Sequence, residues 1–167
     1  ELPGAMTFIE EQGEAVRISV GHTTADYATA SGAFEAGARH VTHLYNAMES
    51  MGHREPGVIG AACDREDVMV ELIADGEHIH PSVIRATFRM FGTDRIVLIS
   101  DSMRACGLSD GEYTLGGQSV SVSGKRALLS DGTLAGSASN LFVMLKNVVS
   151  FGIPLETVVT AASLNPA

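Results

Sequence analysis

One rhythm constrains this chain more than any other feature. A short β-branched run followed by an amphipathic helical stretch recurs four times up to Ile99. Residues 3–13 read as a helix with Ala5, Met6, Phe8 and Ile9 on its apolar face and Gly13 as its stop. Residues 16–20 alternate as a strand, and Asp26 or Thr24 caps a helix over 26–37 that ends at Gly37. A second strand spans 40–44, and a loop rich in Gly and Met runs over 45–60. A third strand covers 68–73, and Pro81 opens a helix over 81–91 at the first-turn position that proline favours. The fourth strand, 95–99, closes on Ser100-Asp101-Ser102. Such alternation predicts an α/β fold with a parallel sheet and right-handed crossovers.

Beyond Asp101 the pattern changes. Residues 112–130 hold short alternating runs split at Gly116-Gly117 and Gly124-Lys125, the mark of β-hairpins. Helical periodicity returns over 139–151 and 155–163, separated by Pro154.

At 167 residues the chain has material for about one domain. Its 45% hydrophobic and 19% charged residues exclude a disordered chain. A net charge of −9, with no Lys/Arg run and no Trp, argues against a nucleic-acid or membrane-surface partner. Cys63 and Cys106 form no CxxC, which fits a reduced, cytoplasmic setting better than a disulfide scaffold. No apolar run nears the roughly 20 residues of a membrane span. Glu1-Leu2-Pro3-Gly4 is neither a signal peptide nor a methionine start, and the chain stops just after a helical pattern. A piece of a longer protein is therefore expected.

The reactive side chains fall at matched places. His22, His43, His78 and Asp101 each lie at or just past the C-terminal end of a different predicted strand. In a (β/α) barrel that face carries the active site. His22 and His43 are 21 residues apart, one strand–helix repeat, so adjacent parallel strands would bring them together. Imidazole suits Zn²⁺ and similar metals, and a carboxylate beside one serves as a general base. Against this stands the plainer reading, in which a strand-end histidine is a hydrogen-bonded loop residue and Asp101 an ordinary cap. His40 and His53 read as structural or solvent-facing, and His80 as a cap for the helix after Pro81. Met48, Met51 and Met69 read as packing, and Glu66-Asp67 as a solvated turn. Arg54 offers a planar fork for phosphate or carboxylate, or else pairs with Glu55. Gly57 and Gly60 permit close backbone approach to a ligand. The chemistry alone reaches a metal-dependent hydrolase acting on something small and anionic.

The segments Val20-Gly21-His22-Thr23, Val41-Thr42-His43-Leu44-Tyr45-Asn46-Ala47-Met48, His53-Arg54-Glu55-Pro56-Gly57, Ile73-Ala74-Asp75-Gly76-Glu77-His78 and Ile99-Ser100-Asp101-Ser102 follow one another in order. With Gly132-Thr133-Leu134-Ala135-Gly136-Ser137, they closely resemble the N-acetylglucosamine-6-phosphate deacetylases of the amidohydrolase superfamily. The resemblance implies the C-terminal half of a (β/α)8 TIM-type barrel plus part of a small β-sandwich. Residues 1–111 would be barrel, 112–130 a hairpin segment of the accessory β-domain, and 131–167 the C-terminal helical part of the barrel.

It further implies that His22 and His43 are imidazole ligands of a divalent metal, zinc first and iron, cobalt or manganese as alternatives. Asp101 would be general base and then general acid. Asn46, Ala47, Arg54, His78, Ala135, Gly136 and Ser137 would bind a phosphorylated amino sugar. The Arg54 contact would reach a neighbouring subunit, so a homodimer is implied. A third ligand, a glutamate, belongs to an upstream HLEGP-like segment absent from this chain, and Glu1 does not match it. Two rivals stand beside this reading: another amidohydrolase, dihydroorotase-like or a sugar amidase, and a non-catalytic sugar-phosphate binding or assembly module.

Overall fold

Three helices in this protein start where a side chain satisfies a free N–H group of the first turn. Asp26 accepts from the Thr29 N–H at 2.8 Å and starts α1's successor, α2 (Tyr27–Ala36), while α1 itself spans Ala5–Gln12. Asn140 does the same for α5 (Leu141–Ser150), accepting from Val143 N–H at 3.0 Å. His80 accepts from the Ser82 N–H at 3.2 Å at the start of α4 (Pro81–Phe91), the capping role its place before Pro81 predicts. The computed structural model describes residues 2–167; Glu1 lies outside them. The described residues pack as two compact units, 2–72 with 88–97 and 73–87 with 98–167.

The first unit carries β1 (Ser19–Val20), β2 (His40–Val41), α3 (Gly57–Cys63) and nearly all of β3 (Met69–Ile73). β1 pairs parallel with β2, and β2 parallel with β3, so that Val20, Val41 and Val70 stand in register. Strand order is β1-β2-β3-β4, with β4 at Ile96–Ile99, and the expected parallel α/β sheet is present. β1 and β2 are shorter than the sequence suggests. β2 stops because the backbone turns left-handed at His43, whereas β1 ends at Val20 as expected and is short at its start, where only Ser19 and Val20 pair with β2.

The expected loop over 45–60 is also cut short, because α3 begins at Gly57. Val58, Ile59, Ala61 and Ala62 are all buried there, so core packing overrides two glycines of poor helix propensity. Met51, expected to pack, is instead 50% exposed, while Met48 and Met69 are half-buried. Phe34, Leu44, Ile59, Val68 and Val70 centre the core of this unit. Arg95 fastens its edge by donating to the carbonyls of Phe91, Ala62 and Arg65 at 3.1, 3.2 and 2.5 Å.

The second unit holds an antiparallel three-stranded sheet of β5 (Gly111–Leu115), β6 (Gln118–Ser123) and β7 (Arg126–Leu129), as the hairpin signals predict. β6 alternates strictly, burying Val120 and Val122 against Met103, Ala105, Ala127 and Ala135. α5 buries Met144 and Val148, and α6 (Leu155–Val159) runs on into one π turn, Thr160–Leu164. Among the described residues no helix is long and apolar enough to cross a membrane.

Phe34→Ala should destabilise the protein by about 3–5 kcal/mol in urea unfolding, the cost of a large cavity in a closed core. A loss below about 1 kcal/mol would contradict the central placement of this ring.

Candidate functional site

Only five residues other than glycine hold a positive φ among those described: His22 (47°), His43 (32°), Tyr45 (78°), Ala47 (50°) and Asp101 (46°). Left-handed backbone costs a side-chain-bearing residue energy, least for Asn, Asp and His, and persists where the surroundings impose it. Four of the five are residues singled out from sequence for metal, base or substrate roles, and the fifth lies inside the same THLYNAM run.

In the first unit the chain leaves β1 and β2 through these turns, and the rings of His22 and His43 meet. Their Nε2 atoms are 2.8 Å apart, with ring planes at 76°. Approach is close enough that a Cβ on Gly21 would stand 2.8 Å from the Thr42 Cβ, so glycine is required just before His22. At 2.8 Å one ring donates and the other accepts, so a single proton sits between two nitrogen lone pairs. A metal ion can take that proton's place. Two Zn–N bonds of about 2.0–2.1 Å at a tetrahedral angle set nitrogens roughly 3.3 Å apart, close to what the pair already offers. His22 is exposed and His43 is 6% exposed, with its Nδ1 buried and without a partner. The pair fits the imidazole share of a divalent centre. Among the described residues no cluster of three His, Cys, Asp or Glu side chains is arranged to hold a metal.

Glu71 holds His43 from behind, and nothing in the sequence marked it. One carboxylate oxygen accepts from the His43 backbone N–H at 3.2 Å, and the other meets His40 Nε2 at 3.1 Å. Burial alone would push its carboxyl up, but the bonds from the His40 ring and the His43 N–H outweigh it and hold the group below its ordinary value. Asn46 ties back to the same turn, its amide donating to the carbonyls of His43 and Leu44 at 3.2 and 3.3 Å. Ala47 is exposed beside it. Arg54 is also exposed, and its guanidinium donates to His53 at 2.6 Å instead of pairing with Glu55.

In the second unit Asp101 is exposed, and its carbonyl accepts from the Ser137 N–H at 2.9 Å. Gly136 sits against it at φ 91°, where an added Cβ would lie 3.4 Å from the Asp101 oxygen. Ala135 and Ser137 are buried. His78 rests on Asp75, Nδ1 to Oδ2 at 2.8 Å, and Ser137 Oγ approaches the same oxygen at 3.5 Å. Burial alone would raise the Asp75 carboxyl, but its bonds from the His78 ring and the backbone N–H groups outweigh it and hold the group low. Sequence reasoning gave Asp75 no role of its own, although its segment is among those that carry the resemblance.

Comparison with known proteins gives these residues a context. No family model matches the chain. The N-acetylglucosamine-6-phosphate deacetylase of Bacillus subtilis is 57% identical over 124 residues, which is 74% of this chain and 31% of that protein. The enzyme of the same name from Vibrio furnissii is 39% identical across 98% of this chain and 40% of its own length. An N-acetylgalactosamine-6-phosphate deacetylase of Escherichia coli O157:H7 is 38% identical over all of this chain and 45% of its own. A mutant Mycobacterium smegmatis N-acetyl-D-glucosamine-6-phosphate deacetylase, solved with N-acetyl-D-glucosamine-6-phosphate, superposes with a TM-score of 0.95 at 37% identity, covering all of this chain and 46% of that one. The chain is thus homologous to part of these deacetylases, and it spans less than half the length of each.

Because the Glu71 and Asp75 carboxyls are held below their ordinary values, each stabilises the fold above the unfolded-state value and ceases to as pH falls through the folded one. Glu71→Gln should therefore lower stability at neutral pH and flatten the acid limb of a stability-versus-pH curve. An unchanged acid limb in that variant would contradict the hydrogen-bonded role given to Glu71.

Proposed function

We propose that this chain contributes the imidazole ligands, the general base and the sugar-phosphate contacts of an N-acetylhexosamine-6-phosphate deacetylase, with N-acetylglucosamine 6-phosphate as its substrate. The observation that carries the reading is the left-handed backbone at His22, His43 and Asp101 together with Tyr45 and Ala47, strain held where the resemblance puts the chemistry. Homology over the length of this chain to deacetylases of phosphorylated amino sugars supports it.

His22 and His43 would hold a divalent metal through Nε2, with zinc as the ion of first choice. When bound, that ion supplies Lewis acidity toward water and the acetamide carbonyl. Asp101 takes the proton of the attacking water on its carboxylate, since an ionised carboxylate is an acceptor alone. The protonated Asp101 then hands the proton to the amine nitrogen as the amide C–N bond breaks. One water is consumed, one C–O bond forms, and the products are the free amino sugar phosphate and acetate. Arg54 and His78 bind the anionic end of the substrate, and Asn46, Ala47 and the Ala135–Ser137 turn line the pocket. In this reading Arg54 serves a neighbouring subunit of a homodimer, in keeping with its exposure.

The residues 1–111 and 131–167 are read as barrel and 112–130 as a β-sandwich segment. β1 stands at an end of the four-stranded sheet beside an apolar groove lined by Met6, Phe8, Ile9 and Val20, with Phe8 56% exposed. An edge of that kind favours continuation by further strands of the same protein. Cys63 and Cys106 are both free thiols, which suits a cytoplasmic setting.

Asp101→Asn should cut turnover of N-acetylglucosamine 6-phosphate by about 10²–10⁴-fold with substrate affinity little changed, because an amide cannot take the water proton. Near wild-type turnover in that variant would overturn the assignment of Asp101 as base.

A further inference from the structure

The Asp75–His78 pair is the most completely built polar arrangement in the second unit, and the reaction outlined above gives Asp75 no task. Its side chain is fully buried, and that of His78 is 6% exposed. Oδ1 accepts from the backbone N–H groups of Glu77 and His78, both at 2.9 Å. Those two bonds stop the carboxylate from rotating and leave Oδ2 aimed at the ring, 2.8 Å from Nδ1. The backbone on either side is fixed as well. Asn147 donates its amide to the Asp75 carbonyl at 3.1 Å, and Gly76 turns at φ 85°, with Phe151 3.3 Å from where a Cβ would stand.

We propose that Asp75 is the positioning residue of His78: its carboxylate takes the Nδ1 proton of the ring and leaves Nε2 as the one atom with which His78 meets a ligand. An ionised carboxylate has no proton to give, so the hydrogen in the 2.8 Å contact belongs to the imidazole. The neutral ring then presents a bare lone pair at Nε2, which accepts from a hydroxyl. The charged ring presents an Nε2–H, which donates to phosphate or carbonyl oxygen, with the buried Asp75 carboxylate as its counter-ion. The single partner thereby sets both the identity of the ligand-facing atom and its two modes of contact. The consequence for substrate binding rests on the reading of His78 as a substrate contact. The tautomer itself does not.

Nitrogen-15 NMR of the imidazole rings tests this without turnover. At a pH where the His78 ring is neutral, the wild-type protein should show a protonated Nδ1 and a pyridine-like Nε2. In Asp75→Asn the carboxamide can donate to Nδ1, and the proton should move to Nε2, exchanging the two nitrogen shifts. A purely structural role for Asp75 would not exchange them. An Nε2–H tautomer in the wild type overturns the inference, as does an unchanged tautomer in a folded Asp75→Asn protein. Should that variant not fold, the wild-type spectrum alone decides. A wild type that shows the expected tautomer yet fails to hydrolyse N-acetylglucosamine 6-phosphate contradicts the proposed reaction and upholds the role of Asp75.

Discussion

The arrangement on which the rest depends is the abrupt end of each short strand in a left-handed turn. A β-strand sends successive side chains to opposite faces, so a residue within β1 or β2 would point into the core or toward the covering helices. Turning the backbone at His22 and His43 instead releases both rings beyond the strand ends, where their Nε2 atoms meet at 2.8 Å. The turns are not free-standing. Glu71 accepts from the His43 N–H, Asn46 donates back to the His43 carbonyl, and Gly21 gives the room beside Thr42 that the approach needs. Asp101 leaves the end of β4 in the same backbone conformation, held by Ser137.

The proposed reaction divides its work accordingly. The first unit offers two imidazoles and the loop to Arg54. The second offers a carboxylate, a histidine with a buried acidic partner, and a small-residue turn through Gly136. Homologues that match 98–100% of this chain at 38–39% identity act, by their names, on the 6-phosphates of N-acetylated hexosamines.

Much of the fold was legible in the sequence, because periodicity reports burial directly. The helix opening at Pro81, the cap at Asp26, the helix expected over 139–151 and the hairpin strands all lie close to where pattern and turn residues place them. Strand length was less legible, since β-branched runs such as Val16–Val20 carry no mark of how many residues find a partner. α3 was hidden because Gly57 and Gly60 lower local propensity, and only the burial of Val58, Ile59, Ala61 and Ala62 makes a helix of them. At the site, the 21-residue spacing of His22 and His43 anticipated their meeting. Glu71 and Asp75 were not legible in the same way. An acid within or just after a strand looks like any other, and its value here comes from the backbone N–H groups and rings that the fold brings to it.

The central claim is that His22 and His43 hold a metal. Its most direct test is elemental analysis of the purified protein beside a His22→Ala/His43→Ala double variant. The account predicts a divalent metal retained by the wild type and lost from the double variant. A wild type without bound metal, or one whose metal content the double substitution leaves unchanged, would contradict it.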